Sequence, residues 1–270
     1  MTTEIKSLSK LAKKTIIYIS NAVGIKIGRH QLTDAVPKAI EEHLATLDSR
    51  FRSPLLSMYR GESQLGTDGQ QHPIDKDTKI HPSQGIWLYD LCVSVRPKST
   101  IEIGMAYGYS TIFFLAAIET NQAGHHTSVD PFQRSSYYGI GLTHAQALTT
   151  TKGSNSSFSL IEDRSDRVAI DLARTNTTFD IIFIDGNHRL DDVLVDFYLY
   201  APLCTIGGHI IFDDMWMSSI QTVVAFVRAN RSDFVEVRTS ESNISVFQRV
   251  GDDAREWSHF REFTVSRSAC

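Results

Sequence analysis

The sequence predicts a doubly wound α/β domain, in which a mostly parallel seven-stranded sheet is covered by helices on both faces. From about residue 80 onward, short runs rich in β-branched and aromatic residues alternate with helical segments. The runs are apolar throughout, as expected of parallel strands buried on both faces. Only the polar Ser-Glu-Ser segment separates the last two runs, which is too short for a helical crossover. This spacing predicts an antiparallel hairpin at the C-terminal end of the sheet.

The elements of this domain follow in a regular order. The predicted strands are residues 99–104, 126–130, 158–162, 179–185, 207–214, 233–239 and 243–250. The predicted helices are residues 83–95, 109–119, 166–174 and 190–203, with an irregular stretch between residues 131 and 157. We therefore place the main domain at residues 80–250 and a C-terminal tail at residues 251–270.

Residues 1–79 are predicted to form an N-terminal helical extension that ends in a loop. Apolar side chains at helical spacing predict a helix over residues 34–50. Residues 60–85 are polar and rich in glycine, proline and aspartate, which predicts a long loop that is either a linker or a lid over a site. The amphipathic first 28 residues are interrupted by polar side chains, so we expect no stable membrane insertion. A loose contact of Lys10, Lys13 and Lys14 with a membrane surface is the alternative.

Composition narrows the classes of partner. The chain has 270 residues, of which 41% are hydrophobic, and a formal net charge of −4 without a basic block, so we expect no nucleic-acid partner. A small molecule is the better expectation. The three cysteines are far apart and in no metal-binding spacing, which argues against a disulfide scaffold or a zinc site. We therefore expect a reducing, cytoplasmic location.

The segment Ile-Glu-Ile-Gly-Met-Ala-Tyr-Gly-Tyr-Ser, residues 101–110, places a glycine turn between a buried strand and a helix. Glu102, Gly104 and Gly108 lie where the strand gives way to the helix, and Ser110 lies at the helix start. A turn without side chains lets backbone N–H groups approach a ligand, and the helix dipole favours an anionic group there. The turn is therefore predicted to seat a ligand. The alternative is a tight turn whose glycines serve packing only.

The second strand ends at Asp130, where a carboxylate can accept hydrogen bonds from both hydroxyls of a ribose. Ala106 stands where a dinucleotide-binding turn has its middle glycine, which lets a pyrophosphate approach. A nucleoside without phosphates is therefore the better expectation.

Acidic residues also end two later strands, at Asp185 and at Asp213 and Asp214. Adjacent parallel strands would bring these carboxylates together, where a divalent cation relieves their repulsion. We therefore predict a Mg²⁺ site, with helix capping by the acids as the alternative. His188, three residues after Asp185, is a candidate base that takes a proton from a substrate hydroxyl, with a surface histidine as the alternative.

These motifs resemble those of class I S-adenosylmethionine-dependent methyltransferases with a Rossmann-like sheet, over about residues 80–250. More narrowly, residues 101–110 are similar to the first motif of the metal-dependent small-molecule O-methyltransferases of the catechol O-methyltransferase group. The pair Asp213–Asp214 resembles bacterial enzymes that methylate sugar or antibiotic hydroxyls, and His188 falls where those enzymes have a histidine and the catechol enzymes a lysine. The first 80 residues match no motif, and we expect them to shape the acceptor pocket or an oligomer contact.

The resemblance implies a set of site residues. For S-adenosylmethionine these are Glu102, Gly104, Met105, Gly108, Tyr109, Ser110, Asp130, Ser165, Asp166 and Asp185, with Ser110 holding the carboxylate, Asp130 the ribose and the segment around Ser165 the adenine. Asp163 replaces the usual glycine of the adenine motif. For Mg²⁺ they are Asp185, Asp213 and Asp214, and the catalytic residues are His188 and Asp185.

The hypothesis from these residues is a one-step methyl transfer to a hydroxyl of a small molecule, with Mg²⁺ and His188 acting on the acceptor oxygen. Three alternatives remain. One is a metal-independent enzyme with an amine or sulfur acceptor, another is a protein that binds the cofactor without turnover, and the third is a nicotinamide dehydrogenase. The residues do not identify the acceptor, since the aromatic side chains near residues 132–138 and Trp216 fit an apolar pocket and a core equally well.

Overall fold

A computed structural model describes residues 38–75, 77–149, 151–152 and 155–265. The first part comprises α1 (Lys38–Leu44), α2 (Ser49–Tyr59), a small hairpin of β1 (Gln64–Leu65) and β2 (Gln71–His72), and α3 (Pro82–Val95). Next come β3 (Ser99–Ile103), α4 (Tyr109–Asn121), β4 (His125–Val129), α5 (Ile140–Leu148), β5 (Thr151–Lys152), β6 (Asn155–Ser156) and β7 (Phe158–Ile161). The last part comprises α6 (Ser165–Arg174), β8 (Phe179–Ile184), α7 (Leu190–Tyr200), a 3₁₀ turn (Ala201–Leu203), β9 (Cys204–Phe212), α8 (Ser218–Asn230), β10 (Phe234–Val237) and β11 (Ser245–Arg249).

The main sheet has seven strands in the order β10-β11-β9-β8-β3-β4-β7. β7, β4, β3, β8 and β9 run parallel to one another, whereas β11 runs antiparallel to both β9 and β10. The predicted doubly wound sheet with its C-terminal antiparallel hairpin is therefore confirmed.

Two hydrophobic layers cover the sheet, and the strands supply alternate residues to each. Along β8, Ile181 and Phe183 join the layer of α1 to α5, whereas Ile182 and Ile184 join the layer of α6 to α8. This alternation follows from the two-residue period of a strand. α3 and α4 approach closely at Gly85, where any side chain would overlap the ring of Phe113.

The strand register aligns the residues that follow four neighbouring strands. Ile103 of β3 lies opposite Val129 of β4 and Ile184 of β8, and Ile184 lies opposite Phe212 of β9. Each of these four residues ends its strand, so the next residue stands at the carboxyl edge of the sheet. Those next residues are Gly104, Asp130, Asp185 and Asp213.

Several elements differ from the predictions. In place of the single helix predicted over residues 34–50, the structure has two helices, α1 and α2, because the helical conformation is interrupted at residues 45–48. Asp48 caps the N-terminus of α2 by accepting a hydrogen bond from the N–H of Arg50. The predicted loop at residues 60–85 contains the β1–β2 hairpin, and the stretch predicted as irregular contains α5. The sequence analysis also did not identify α8, in which the buried residues Ile220, Val223, Val224 and Val227 recur at helical spacing.

The N-terminal part shares the core of the main domain. Leu44, Phe51 and Leu55 of α1 and α2 are buried in the same layer as α4 and α5, so the boundary predicted near residue 80 is not a break in packing. The predictions for Lys10, Lys13 and Lys14 lie outside the described residues. In the described ranges, no helix has both the length and the apolar character needed to cross a bilayer.

Candidate functional site

A cavity of about 670 Å³ lies at the carboxyl edge of the sheet, where the register aligns the strand ends. Its size lies within the range of about 300–1,000 Å³ that is usual for small-molecule sites. Most of the predicted site residues line it: Gly104, Met105, Tyr109, Ser110, Asp130, Ser165, Asp166, Asp185, His188, Asp213 and Asp214. Glu102 and Gly108 are not among the lining residues.

The glycine turn is held against its neighbours. Gly104 and Gly108 have φ values of +93° and +87°, which side-chain-bearing residues rarely adopt. A Cβ at Gly104 would overlap the carbonyl oxygen of Asp185, and a Cβ at Gly108 would lie 2.9 Å from Cα of Gly141. Packing of the turn therefore accounts for both glycines, while Gly104 also lines the cavity.

The side chain of Glu102 is buried behind the turn, where it accepts several hydrogen bonds, and it does not line the cavity. This position corrects its predicted contact with the cofactor. Its carboxylate accepts hydrogen bonds from the hydroxyls of Ser110, Thr111 and Ser128, and Nε2 of His126 lies 3.2 Å from Oε1. Burial opposes ionisation of Glu102, but His126 and the hydroxyl donors outweigh it and lower the pKa of this carboxyl. The hydroxyl of Ser110 thus donates to Glu102, while Ser110 also lines the cavity, so its predicted contact with a ligand carboxylate stays a prediction.

Asp130, which follows β4, binds the backbone of the glycine turn through its carboxylate. Its Oδ2 accepts the N–H groups of Met105 and Ala106 at 3.1 and 2.8 Å, and its Oδ1 accepts the N–H of Phe132 at 2.8 Å. These bonds hold Ala106 at a left-handed φ of +47°. Each carboxylate oxygen has two lone pairs, so the ribose contact predicted for Asp130 is compatible with these bonds and stays a prediction.

A cluster of titratable side chains lies beside the turn. Nε2 of His188 lies 3.0 Å from Oδ2 of Asp214 and 3.5 Å from Oδ1 of Asp185. Ligand atoms of these three residues all lie within 4.8 Å of one another, a spacing that suits a single metal ion. The cluster differs from the predicted metal set in one member, because His188 takes the place of Asp213.

Asp213 is held by amides instead. Its Oδ1 accepts hydrogen bonds from Nε2 of Gln84 at 2.6 Å, from the N–H of Asp214 at 2.7 Å and from Nδ2 of Asn243 at 3.2 Å. Gln84 lies on α3 and Asn243 in the loop before β11, and the sequence analysis identified neither. A lone amide on a distant element carries no motif, so only the fold shows that these two side chains orient the acidic pair.

The charges of the cluster are unbalanced. Burial raises the pKa of Asp185 to about 6, with the negative charge of Asp214 adding to the effect. Burial and the charges of Asp185 and Asp214 raise the pKa of Asp213 as well. The pKa of Asp214 is lowered, since hydrogen bonds from His188 and Trp216 outweigh its burial. Hydrogen bonds to Asp185 and Asp214 raise the pKa of His188 to about 10, so the imidazole is positively charged at neutral pH.

The donor set therefore fits a divalent cation. Three carboxylates at one edge carry more negative charge than one imidazolium balances, and carboxylate oxygens are the ligands that Mg²⁺ prefers. The cavity likewise fits a nucleoside, because Asp130 and Asp196 line it as buried acceptors and Ile103 and Val129 provide apolar surface.

Two aromatic residues, Phe132 and Tyr137, and the loop before α3 line the cavity, whereas Trp216 does not. Phe132 is 57% exposed and Tyr137 lines the cavity beside it, while Trp216 is 65% exposed and donates its indole N–H to Asp214. Phe132 and Trp216 are therefore not core residues. Residues 77–80 of the loop that was expected to be a linker or a lid also line the cavity.

Comparisons with known proteins point to a methyltransferase domain. Residues 101–215, which run from the β3 turn to just beyond the acidic pair, match the family model of a methyltransferase domain. The uncharacterized protein R132 of Acanthamoeba polyphaga mimivirus is 38% identical over 60 residues, which are 19% of this chain. The matched segment covers 27% of the length of that relative.

Solved structures show the same fold at low sequence identity. The methyltransferase PaMTH1 of Podospora anserina, bound to S-adenosylhomocysteine, is 14% identical with a TM-score of 0.52, and the alignment covers 90% of this chain and 96% of PaMTH1. The O-methyltransferase TomG of Streptomyces achromogenes, in complex with S-adenosylmethionine, is 18% identical with a TM-score of 0.52 over 79% of this chain and 96% of TomG. An O-methyltransferase of Bacillus cereus is 16% identical with a TM-score of 0.52 over 86% of this chain and 96% of the other.

The family match covers the strand ends and loops that supply most of the cavity lining. The chain therefore contains, over residues 101–215, a segment that matches a methyltransferase domain, and it shares the fold of methyltransferases that bind S-adenosylmethionine or S-adenosylhomocysteine.

Proposed function

We propose that this protein is an S-adenosylmethionine-dependent methyltransferase that transfers a methyl group to a hydroxyl of a small molecule with the assistance of Mg²⁺. The observation that carries the proposal is the convergence of Asp185, His188 and Asp214 beside the glycine turn, within one cavity. The similar O-methyltransferases from Streptomyces achromogenes and Bacillus cereus support a hydroxyl acceptor. Residues 77–80 and Tyr137 are the expected neighbours of the acceptor.

Each group has a distinct task in this proposal. S-adenosylmethionine supplies a methyl group already activated on a sulfonium, and a bound Mg²⁺ supplies positive charge that lowers the pKa of an acceptor hydroxyl. Alignment is then the main task of the protein, and it falls to Asp185 and Asp214, which directly follow β8 and β9, with Asp214 also accepting a hydrogen bond from the amide of Asn243.

His188 is the candidate base, and it can accept a proton only if its imidazole is neutral, which depends on the two neighbouring carboxylates. An imidazolium with a pKa near 10 cannot accept a proton at neutral pH. Its proton is held by Asp185 and Asp214, the same carboxylates that are proposed to hold the cation. When these two carboxylates are occupied, Nε2 loses the partners that raise its pKa, and the imidazole returns toward its ordinary pKa of about 6.5.

The same geometry favours a second candidate, metal-independent transfer to an amine or sulfur acceptor. The charged imidazole of His188 already balances part of the charge of Asp185 and Asp214 at 3.5 and 3.0 Å. In that case the remaining negative charge would steer a cationic or polar acceptor into the cavity.

One experiment separates the candidates. The purified protein is incubated with S-adenosylmethionine and a panel of catechols, sugar diols, amines and thiols, with Mg²⁺ or after exhaustive chelation, and S-adenosylhomocysteine is quantified. The proposal expects turnover with hydroxylated acceptors that requires the metal. Undiminished turnover after chelation would select the metal-independent candidate. S-adenosylhomocysteine binding in calorimetry without turnover on any acceptor would indicate a binding protein.

The cysteines support a reducing location as a further part of the proposal. Cys92 and Cys204 are both buried and free. Burial raises the pKa of the Cys92 thiol and of the Cys204 thiol, which makes both unreactive.

A further inference from the structure

The cavity has different lining residues on the side of the α1–α5 layer and on the side of the α6–α8 layer. Toward the layer of α1 to α5, Met105, Tyr109 and Tyr137 line it. Toward the layer of α6 to α8, its apolar surface comes from Ile103 and Val129, which are 3% and 1% exposed. Polar atoms of α6 and α7 lie at the edge of this second side. An apolar floor with polar groups at its edge suits a flat heterocycle.

Asp196 is the buried acid of this second side. It lies on α7, is 3% exposed and lines the cavity. The side chain of Ser165, the first residue of α6, lies near it and opposes the rise in the pKa of its carboxyl. Its Oδ2 faces the loop after β8, since a Cβ added to Gly186 would lie 3.8 Å from this oxygen. A carboxylate offers about four lone-pair sites, so one hydroxyl leaves most of its acceptor capacity unused.

The other two carboxylates of this side are already neutralised. Asp166 accepts two hydrogen bonds from Arg164, at 3.0 and 3.3 Å. Asp192 lies 3.0 Å from Nε of Arg189 and accepts Nδ2 of Asn187 at 2.6 Å. Among the acids that α6 and α7 contribute to the lining of the cavity, Asp196 is the one that is buried without an arginine.

The protonation state of Asp196 defines what it can recognise. Burial raises the pKa of this carboxyl to about 6, with the charges of Asp192 and Asp166 adding to the effect and the hydroxyl of Ser165 opposing it. At pH 7.5 the group is therefore mainly an ionised acceptor without a donor. A ligand edge that places an N–H there is stabilised, whereas one that places a carbonyl oxygen there is repelled.

We propose that Asp196 is a specificity-determining residue that accepts a hydrogen bond from the exocyclic amino group of the adenine, so that this site rejects 6-oxo purines. The inference rests on the proposed function, because it takes the ligand to be S-adenosylmethionine. Charge-assisted hydrogen bonds contribute about 1.5–3 kcal/mol, which corresponds to a roughly 10- to 100-fold preference for the adenine form.

The test compares two probes in calorimetry at pH 7.5: S-adenosylhomocysteine and its deaminated analogue, S-inosylhomocysteine. We expect the wild type to prefer the adenine probe at least tenfold. Asp196→Asn should reduce this preference to about threefold or less, because a carboxamide can turn its N–H₂ toward a 6-oxo group. Asp196→Ala should weaken binding of the adenine probe about tenfold or more.

Asp171→Asn is the control, since it removes the same charge from an exposed carboxylate of α6 that Arg174 already pairs and that does not line the cavity. It should leave the ratio of the two affinities unchanged, and thermal melting of each variant checks that it is folded. An Asp196→Asn protein that keeps the wild-type ratio overturns the inference while leaving the proposed function intact. A wild type that binds neither probe overturns the proposed function itself.

Discussion

Nε2 of Gln84 donates a 2.6 Å hydrogen bond to Oδ1 of Asp213, joining α3 to the end of β9 across 129 positions of the chain. α3 precedes the segment that matches the methyltransferase family. The bond orients one carboxylate of the acidic edge and opposes the rise in its pKa that burial and Asp185 cause. The helix before the matched domain therefore forms part of the candidate site.

Replacing this amide should weaken cation binding. Gln84→Leu keeps a similar side-chain volume but leaves Asp213 with fewer donors, so Asp213 holds its proton more tightly. Since loss of a supporting hydrogen bond typically lowers metal affinity about 10- to 100-fold, we expect a tenfold or larger loss of Mg²⁺ affinity in calorimetry. The control is Gln122→Leu, at the exposed end of α4, which should bind Mg²⁺ like the wild type. Equal affinities of Gln84→Leu and the wild type would contradict this role.

Asp185→Asn tests the metal cluster itself. Because this substitution removes one of the two carboxylates next to His188, we expect metal-stimulated turnover to fall about 100-fold or more. Binding of S-adenosylhomocysteine should change by less than about threefold, since the neutral amide lowers the local charge without removing the glycine turn. Turnover is measured as S-adenosylhomocysteine release at saturating Mg²⁺. A variant with full, chelator-insensitive activity would remove the metal from the mechanism.

The pKa of His188 should depend on the occupancy of its two neighbours. In the metal-free protein the raised pKa means that the ion pair stabilises the fold fully below the unfolded value of 6.5, and that this stability is lost as pH rises through about 10. The melting temperature of the wild type should therefore fall between pH 6.5 and 10 more steeply than that of His188→Gln. Nuclear magnetic resonance of the imidazole should show its pKa moving toward 6.5 when Mg²⁺ is added. An unchanged titration on saturation with Mg²⁺ would argue against a cation at Asp185 and Asp214.

Asp196 should lower the stability of the ligand-free protein at neutral pH. Its folded pKa of about 6 is above the ordinary value of 3.8, so its favourable contribution is complete below pH 3.8 and is lost as pH rises through 6. Asp196→Asn should therefore be more stable than the wild type at pH 8, by on the order of 2 kcal/mol, with the gain shrinking as pH falls below 6. Urea unfolding at pH 8 and at pH 5 measures the difference. A gain of the same size at both pH values would show that charge is not its cause.

Gly104→Ala separates backbone strain from steric overlap in the glycine turn. The added Cβ would meet the carbonyl oxygen of Asp185, which the sheet holds in place, so we expect a loss of about 2–4 kcal/mol in unfolding free energy. Gly69→Ala is the matched control, because Gly69 also has a left-handed φ, +77°, but nothing lies within 4 Å of its Cβ position. It should cost only about 1 kcal/mol, the strain of the backbone conformation alone. Equal losses in the two variants would show that the overlap is relieved by small movements.

The sequence alone determined the sheet and the residues at its edge. Apolar runs with helices between them predict a doubly wound sheet, because strands and helices have distinct periods and parallel strands need crossovers. The residues that follow such strands must lie at one edge, so Asp130, Asp185 and Asp213 could be assigned to the site without coordinates. The break between α1 and α2 was not predicted, because apolar spacing continues through the residues that separate them.

Only the tertiary structure decided how each of these side chains is used. Glu102 and Ser110 turn toward each other inside the core, and Asp213 is bonded to Gln84 and Asn243, while His188 joins Asp185 and Asp214. The reason is that a sequence pattern fixes the strand end at which a residue stands. The direction of its side chain depends on partners from elements far away in the chain, which come together only when the sheet and its helices have packed.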